Sequence, residues 1–319
     1  MTIATATTSP HRPRLDPVPR TAVPDGGETR FVAADDAAQL RLVDWVPAGE
    51  IRAHAIMAGG KRDFIERHAE SYHRLLGAGV AITAFDWRDQ GLSARESVAD
   101  HLLFDRMETD FDTIFGAAPA HAVPRILVGH SMGGHMMLRA LANRPHLRAD
   151  VHSAIFFAPM LGIGGGPPPW LLGGLARLHV ALGRGRHYPP GQLPYGPDYK
   201  SEARRERLTG DRARFDEGFE FIEAEPGLAA GGATWGWLAG AHESMAALRE
   251  PGVLEAVGTP VSIFVGTREM VVSADAIVDA AHRLPHANLK VIDDGRHELQ
   301  LDSDPVQARL WPHVMAALP

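Results

Sequence analysis

Hydrophobic residues along the chain fall into short runs that alternate with amphipathic segments. The apolar runs at 80–85, 126–128 and 151–157 predict buried strands, and residues 29–32 and 39–46 predict a hairpin. Helical spacing of apolar residues follows several of these runs, most clearly at 132–143. This order of strand and helix predicts an α/β fold with a doubly wound, mostly parallel sheet. We therefore expect a ligand site at the carboxyl ends of the strands.

The alternation of strands and helices is interrupted once. A Gly- and Pro-rich segment begins at residue 164, and no further strand is predicted before residue 261. We therefore expect a helical cap at residues 161–249, inserted into a core formed by residues 29–160 and 250–319. Residues 1–28, rich in Thr, Pro and Arg, are expected to form a disordered tail.

Composition narrows the classes of function. The formal net charge of −7, without a dominant basic block, argues against nucleic acid as a partner. The absence of Cys excludes disulfides, thiolate–metal sites and cysteine nucleophiles, and the sequence implies neither a cofactor nor a metal. No apolar run has the length of a membrane span or of a secretory signal, so a cytoplasmic location is expected.

Ile126–Gly134 has the features of a catalytic turn between a strand and a helix. Its Gly129-His130-Ser131-Met132-Gly133 segment matches the G-x-S-x-G pattern, in which a strained turn exposes a nucleophilic serine. Ser131 is therefore the candidate nucleophile. The N–H of Met132, at the start of the following helix, is one candidate donor to an oxyanion.

A nucleophilic serine needs a base, and the base needs an acid to orient it. His297 follows the last predicted strand, residues 289–292, and is the candidate base. Glu269 comes directly after the strand at 261–265 and is favoured as the acid. Asp275 is the rival acid, whereas Glu298 is adjacent to His297 along the chain and badly placed to orient it.

A third strand is predicted at residues 51–57, and a second oxyanion donor is expected from the loop that follows it. Gly60 and Lys61 are the candidates there, because glycine lets the backbone approach a substrate closely.

Four segments resemble the monoacylglycerol lipase and bacterial lysophospholipase branch of the α/β-hydrolases. They are F-D-W-R-D-Q-G-L-S (85–93), G-H-S-M-G-G (129–134), G-T-R-E-M-V-V (266–272) and G-R-H-E-L (295–299). The cap segment 214–238 is also similar to the bacterial lysophospholipase cap. The resemblance implies that Ser131 is nucleophile, Glu269 acid and His297 base, with oxyanion N–H groups from Met132 and Lys61. Two departures stand out: Gly59-Gly60 replaces the usual His-Gly, and Glu269 replaces the usual Asp.

The cap holds further candidate residues. An apolar helix beginning near Trp170, Leu171 and Leu175 is interpreted either as a lipid-facing lid or acyl-chain wall, or as a helix packed on the domain. Trp235 and Trp237 are interpreted either as residues that line the same pocket or as residues packed in the core. Five arginines could meet a phosphate headgroup, although nearby carboxylates favour a self-paired, solvated face; they are Arg204, Arg205, Arg207, Arg212 and Arg214.

The hypothesis is therefore a serine ester hydrolase that cleaves single-acyl-chain lipids, lysophospholipids or monoacylglycerols, through an acyl-enzyme. Its expected partner is a small lipid ester, with peripheral membrane contact through the cap. A small-ester carboxylesterase, a thioesterase and a peptidase are the alternatives with the same fold. A noncatalytic binding protein is the alternative from another class.

Overall fold

The computed structural model of the protein describes residues 16–95 and 99–319. Within them, eight strands form one sheet with the order β1-β2-β4-β3-β5-β6-β7-β8. The first hairpin and the β2–β4 pair are antiparallel, and the remaining neighbours are parallel. The strands are β1 (Glu28–Ala33), β2 (Gln39–Trp45), β3 (Ala53–Ala58), β4 (Val80–Phe85), β5 (Arg125–His130), β6 (Val151–Phe157), β7 (Val261–Gly266) and β8 (Ala287–Ile292).

Helices follow most of the strands, and four of them lie between β6 and β7. Short 3₁₀ turns lie between several of these elements, such as Pro197–Tyr199. The helices are α1 (Ala69–Gly77), α2 (Leu103–Ala117), α3 (Met132–Asn143), α4 (Pro145–Asp150), α5 (Pro169–Ala181), α6 (Glu202–Leu208), α7 (Arg212–Ala224), α8 (Trp235–Arg249), α9 (Ala274–Arg283) and α10 (Asp304–Ala316).

The predicted doubly wound, mostly parallel sheet is confirmed, and its cause is visible in the packing of β3 and β5. Successive side chains of a strand point to opposite faces. Ile56 and Leu127 accordingly join the hydrophobic core on one face, with helices α2, α3 and α8. Met57 and Val128 join the core on the other face, with α1 and α10. Because helices cover both faces, the central strands are apolar almost without interruption.

The segment expected as a tail lies only partly within the described residues. Residues 1–15 and 96–98 are outside them. Residues 16–27 form neither helix nor strand, yet they contact the folded chain. Trp45 Nε1 donates to the carbonyl of Pro24 at 2.8 Å, and Arg20 pairs with Glu217 of α7 at 2.8 Å.

The helical segment between β6 and β7 corresponds in position to the expected cap. Helix α5 packs mainly against α8, and α8 in turn lies against α2 and α3 of the core. Among the described residues, no helix combines the length and the apolar character needed to cross a bilayer.

Candidate active site

Ser131 occupies a strained turn between β5 and α3. Its backbone has φ 51° and ψ −116°, a left-handed conformation that non-glycine residues rarely adopt. The turn is held because the Ser131 N–H donates to the Phe157 carbonyl at 2.9 Å, while the Ser131 carbonyl accepts the Met160 N–H at 3.0 Å. The carboxyl ends of two adjacent strands thus fix the serine at the edge of the sheet.

The two glycines of the motif are required by close backbone contacts. A Cβ at Gly129 would lie 2.7 Å from the Cα of Gly134, and a Cβ at Gly133 would lie 2.5 Å from the Gly59 carbonyl oxygen. Real Cβ atoms do not come this near to other atoms, so any larger residue would push α3 away from β5 or from the loop after β3.

The structure brings together the three residues predicted as nucleophile, base and acid. His297 Nε2 lies 3.0 Å from Ser131 Oγ, and His297 Nδ1 lies 2.9 Å from Glu269 Oε2. Glu269 follows β7 and His297 follows β8, so all three side chains come from strand ends. The rival Asp275 lies exposed in the first turn of α9, and Glu298 instead forms two hydrogen bonds with Arg67, of 2.8 and 2.7 Å.

The surroundings of Glu269 favour its ionised form. Burial alone would raise its pKa, but the neighbouring His297 and two backbone N–H groups, those of Val271 and Val272, hold the pKa below its ordinary value. Both N–H groups donate to the same oxygen, Oε1, at 2.7 and 3.0 Å. The backbone therefore fixes the carboxylate through Oε1, while His297 Nδ1 lies within reach of both oxygens, at 2.9 Å from Oε2 and 3.1 Å from Oε1.

The loop after β3 lies against Ser131 and offers backbone N–H groups to a substrate. A Cβ at Gly60 would be 3.0 Å from Ser131 Cβ. The Gly60 N–H already donates to Asp63 Oδ2 at 3.1 Å, which leaves the N–H of Lys61 as the better candidate of the two. The other candidate donor, Met132, begins α3, where the first N–H groups have no partner within the helix.

Asp63 was not singled out by the sequence analysis, although it organises this loop. Its carboxylate accepts hydrogen bonds from Gly60 and Phe64 N–H and from His68 Nε2, the last at 2.8 Å. Burial would raise its pKa, yet His68 and His130 hold that pKa well below the ordinary value. A Cβ at Gly59 would lie 2.3 Å from Asp63 Oδ2. The Asp63 side chain thus fills the space next to position 59, the position at which Gly59 stands in place of the usual histidine.

The segment F-D-W-R-D-Q-G-L-S, which begins at the last residue of β4, also holds the loop after β3. Arg62 has φ 65°, and its N–H donates to Oε1 of the buried Gln90. Asp86 accepts the N–H groups of Ile65 and Leu92, at 3.0 and 2.9 Å. This segment therefore holds the conformation of the loop after β3, a role that its apolar-and-polar pattern did not reveal.

A cavity of about 490 Å³ lies over Ser131 and His297. Gly60, Lys61 and Trp237 line it, and Lys61 Nζ lies 5.6 Å from the centre of the Trp237 ring. Burial lowers the pKa of Lys61 to about 8. Much of the wall is apolar and comes from the cap and the neighbouring loops, including Phe64, Met160, Leu193, Phe215, Phe219, Ile222 and Leu238.

The other four predicted substrate-binding residues lie outside the cavity lining. Trp235 is buried and stacks on His179, with ring centres 4.2 Å apart. Trp170, Leu171 and Leu175 lie on the exposed face of α5. The physical reason is that α5 buries its small residues against α8, which turns its large side chains outward.

A serine–histidine–glutamate arrangement at the carboxyl edge of a mostly parallel sheet, beneath an inserted helical segment, defines a serine hydrolase of the α/β-hydrolase fold. The chain belongs to the family described as serine aminopeptidase, S33, which matches residues 49–304.

Comparison with individual proteins confirms the expected resemblance. Monoacylglycerol lipase of Mycolicibacterium smegmatis is 30% identical over 130 residues, which cover 40% of this chain and 45% of that protein's length. Lysophospholipase L2 of Escherichia coli is 25% identical over 316 residues, covering 89% of this chain and 87% of that protein. Among solved structures, a soluble variant of monoglyceride lipase from Saccharomyces cerevisiae in complex with a substrate analog has a TM-score of 0.73, with 18% identity, 95% of this chain covered and 98% of that one. Because the sequence identity is only 18%, this last likeness shows the fold alone.

Proposed function

We propose that the protein hydrolyses single-acyl-chain lipid esters, lysophospholipids or monoacylglycerols, through an acyl-enzyme on Ser131. The observation that carries the proposal is the position of Ser131, His297 and Glu269 beneath a cavity with an extensive apolar wall. An apolar wall suits an acyl chain, and the volume is in the range of small-molecule sites. The names of the relatives, monoacylglycerol lipase and lysophospholipase L2, support the same class of substrate.

The proposed reaction has two halves. Ser131 Oγ attacks the ester carbonyl as His297 Nε2 takes its proton, and the N–H groups of Met132 and Lys61 stabilise the oxyanion. Glu269 stabilises the imidazolium that forms. His297 then gives the proton to the leaving glycerol oxygen, the ester C–O bond breaks, and an acyl-Ser131 ester remains. Water, deprotonated by His297, attacks this ester and releases the fatty acid.

The charges of the cavity favour an ester substrate over a peptide with a free α-amino group. An ammonium group needs an uncompensated carboxylate nearby. Of the carboxylates that line the cavity, Asp63 is bound by His68 and Glu298 by Arg67. Asp198 lies exposed in the lining, which also contains several cations. The aminopeptidase in the family description is therefore the less suitable activity for this chain.

A panel of monoacyl substrates that crosses headgroup with chain length tests the proposal. Each buried methylene contributes about 0.8 kcal/mol, or about fourfold in kcat/KM if it is realised in the transition state. Activity should therefore rise from C4 towards medium or long chains and level off where the cavity ends. Triacylglycerols should be poor substrates. A steady fall from C2 upward would assign the protein to the small-ester carboxylesterases, and failure of a fluorophosphonate probe to label Ser131 would favour a noncatalytic protein.

The exposed face of α5 supports a second part of the proposal, peripheral contact with a membrane. Trp170, Leu178 and Leu182 are 75%, 53% and 60% exposed, and Leu171 and Leu175 lie on the same side of the helix. Contiguous exposed apolar side chains are typical of interaction surfaces. Sedimentation with phosphatidylglycerol vesicles should bring down the wild-type protein, while a Trp170→Ser and Leu178→Ser variant should stay in the supernatant. Equal sedimentation of both would remove this part of the proposal.

A further inference from the structure

Five cationic side chains line the cavity, and they differ in what binds them. Arg67 is held by Glu298, and the exposed Arg207 donates to the Met270 carbonyl at 3.1 Å. Lys61 lies over Trp237 next to Ser131. Arg62 and Arg204 remain. In the part of the chain that the structure describes, neither of their guanidinium groups forms an ion pair with a carboxylate.

Both guanidinium groups lie at the same aromatic ring. The Cζ of Arg62 is 5.0 Å and that of Arg204 is 4.7 Å from the centre of the Tyr199 ring. Tyr199 is itself buried, and its hydroxyl donates to the Leu193 carbonyl, so the ring is a fixed support. Contact with a ring holds a guanidinium in place while its N–H edge stays available to a ligand.

The backbone of Arg62 has an unfavourable left-handed conformation, and in this conformation the side chain lies at the Tyr199 ring. Its left-handed backbone is held by Gln90, and burial lowers the pKa of its guanidinium. The carboxylate of Glu298 acts on the charge of Arg62 but is already paired with Arg67, so an anionic ligand would supply a counter-charge that this partly buried cation needs. Left-handed non-glycine residues of this kind often lie in ligand sites.

Three other arginines of the cap do form ion pairs with carboxylates. Arg205, next to Arg204 in α6, pairs with Glu202, Arg212 pairs with Glu202 and Asp216, and Arg214 pairs with Glu70, Asp211 and Asp304. The self-paired, solvated interpretation therefore describes Arg205 and Arg212, whereas Arg214 is buried and also binds Glu70 and Asp304 outside the cap. Arg204 is different because its side chain faces the cavity.

We propose that Arg62 and Arg204 form an anion subsite that binds the phosphate of a lysophospholipid headgroup while the ester lies at Ser131. Guanidinium groups bind phosphate oxygens with paired, charge-assisted hydrogen bonds. The inference rests on the proposed ester hydrolysis and narrows its substrate class. Within that class, phosphate-bearing esters are preferred over monoacylglycerols of equal chain length.

The test compares 1-decanoyl lysophosphatidylglycerol with 1-decanoylglycerol, both below their critical micelle concentrations, on the full chain. Arg62→Gln, which keeps the N–H bound by Gln90, and Arg204→Gln should each lower kcat/KM for the phospholipid by about 10- to 100-fold. Hydrolysis of 1-decanoylglycerol should change less than about threefold, which reports that the fold and the oxyanion loop are intact. Arg205→Gln is the matched control and should leave both activities unchanged. Arg204→Lys should restore part of the phospholipid activity.

A second arm uses labelling of Ser131 by a fluorophosphonate, which needs no lipid substrate. sn-Glycerol 3-phosphate should slow labelling of the wild-type protein, glycerol should not, and protection should be lost in Arg204→Gln. Protection by inorganic phosphate alone would point to a site for the free ion and overturn the lipid assignment.

The outcomes separate the two proposals. Loss of both lipid activities in equal proportion, or an unchanged ratio in both variants, would overturn the subsite. Hydrolysis of 1-decanoylglycerol only, without protection by glycerol 3-phosphate, would overturn the subsite and leave the ester hydrolase standing. If the wild-type protein hydrolyses neither lipid, the proposed function fails, and the protection experiment still decides the subsite.

Discussion

Replacing Glu269 by glutamine tests how the acid controls the tautomer of His297. The backbone N–H groups of Val271 and Val272 both donate to Oε1, so the amide oxygen of a glutamine must take that position. The NH₂ group must then take the place of Oε2, which is the oxygen nearer to His297 Nδ1, at 2.9 Å against 3.1 Å for Oε1. Because the NH₂ group and a protonated Nδ1 would repel each other at the shorter distance, the neutral imidazole favours the tautomer in which Nδ1 accepts and Nε2 carries the proton.

A proton on Nε2 removes the base from Ser131, since that nitrogen lies 3.0 Å from Oγ and must accept its proton. The comparable change in a serine protease, which also traps the wrong tautomer, lowers kcat by about 10⁴. We expect a loss of that order in Glu269→Gln, with an unchanged thermal transition because the replacement is nearly isosteric.

The assay is kcat/KM for a medium-chain monoacyl ester, with active sites counted by fluorophosphonate labelling of the wild-type protein. Asp275→Asn is the matched control and should retain activity within about twofold, because that carboxylate is exposed on α9. A Glu269→Gln variant with more than a few per cent of wild-type activity would refute the tautomer argument. A crippled Asp275→Asn variant would show that the wrong carboxylate was assigned.

Three further predictions concern the same site. Ser131→Ala and His297→Ala should each lower kcat by about 10⁴–10⁶ while the circular dichroism spectrum stays native; near-normal turnover by Ser131→Ala would contradict the assignment. Lys61→Ala should keep most activity because only its N–H is needed, whereas Lys61→Pro removes that donor and should cost about 10²–10³ in kcat if the loop still folds; a large loss in Lys61→Ala would implicate the side chain. Lys61→Met should raise the free energy of unfolding at pH 7 by about 1–3 kcal/mol, measured by urea denaturation. The folded-state pKa of Lys61, about 8, lies below the ordinary 10.5, so the unfolded chain holds that proton more tightly; the advantage of Lys61→Met should therefore fade between pH 8 and 10.5, and a pH-independent difference would exclude titration as the cause.

The sequence was sufficient to predict the fold. It was also sufficient to predict that Ser131, His297 and Glu269 lie at one edge of the sheet, because each of them follows an apolar strand. The ends of these continuous apolar runs are marked by the glycine-containing and polar segments that follow them. It did not distinguish Arg204 from Arg205, since adjacent residues of one helix meet different neighbours that lie far away in the chain. It also could not tell whether the large side chains of α5 would line the cavity, because helical periodicity marks an apolar face without saying what covers it. Asp63 was missed for another reason: its hydrogen-bond partners Gly60, Phe64 and His68 are close in sequence, but a single carboxylate in a loop belongs to no spacing pattern that marks it.

The contact between position 59 and the Asp63 carboxylate has a consequence for how this loop could have evolved. With only 2.3 Å between Asp63 Oδ2 and a Cβ at Gly59, a histidine at position 59 would require the Asp63 side chain to leave its present place. An ancestor with histidine at position 59 would therefore have held residue 63 in another conformation, without its present hydrogen bond from the Gly60 N–H. The two positions should therefore vary together across lineages: homologues with histidine at the first are expected to carry a small or displaced side chain at the second.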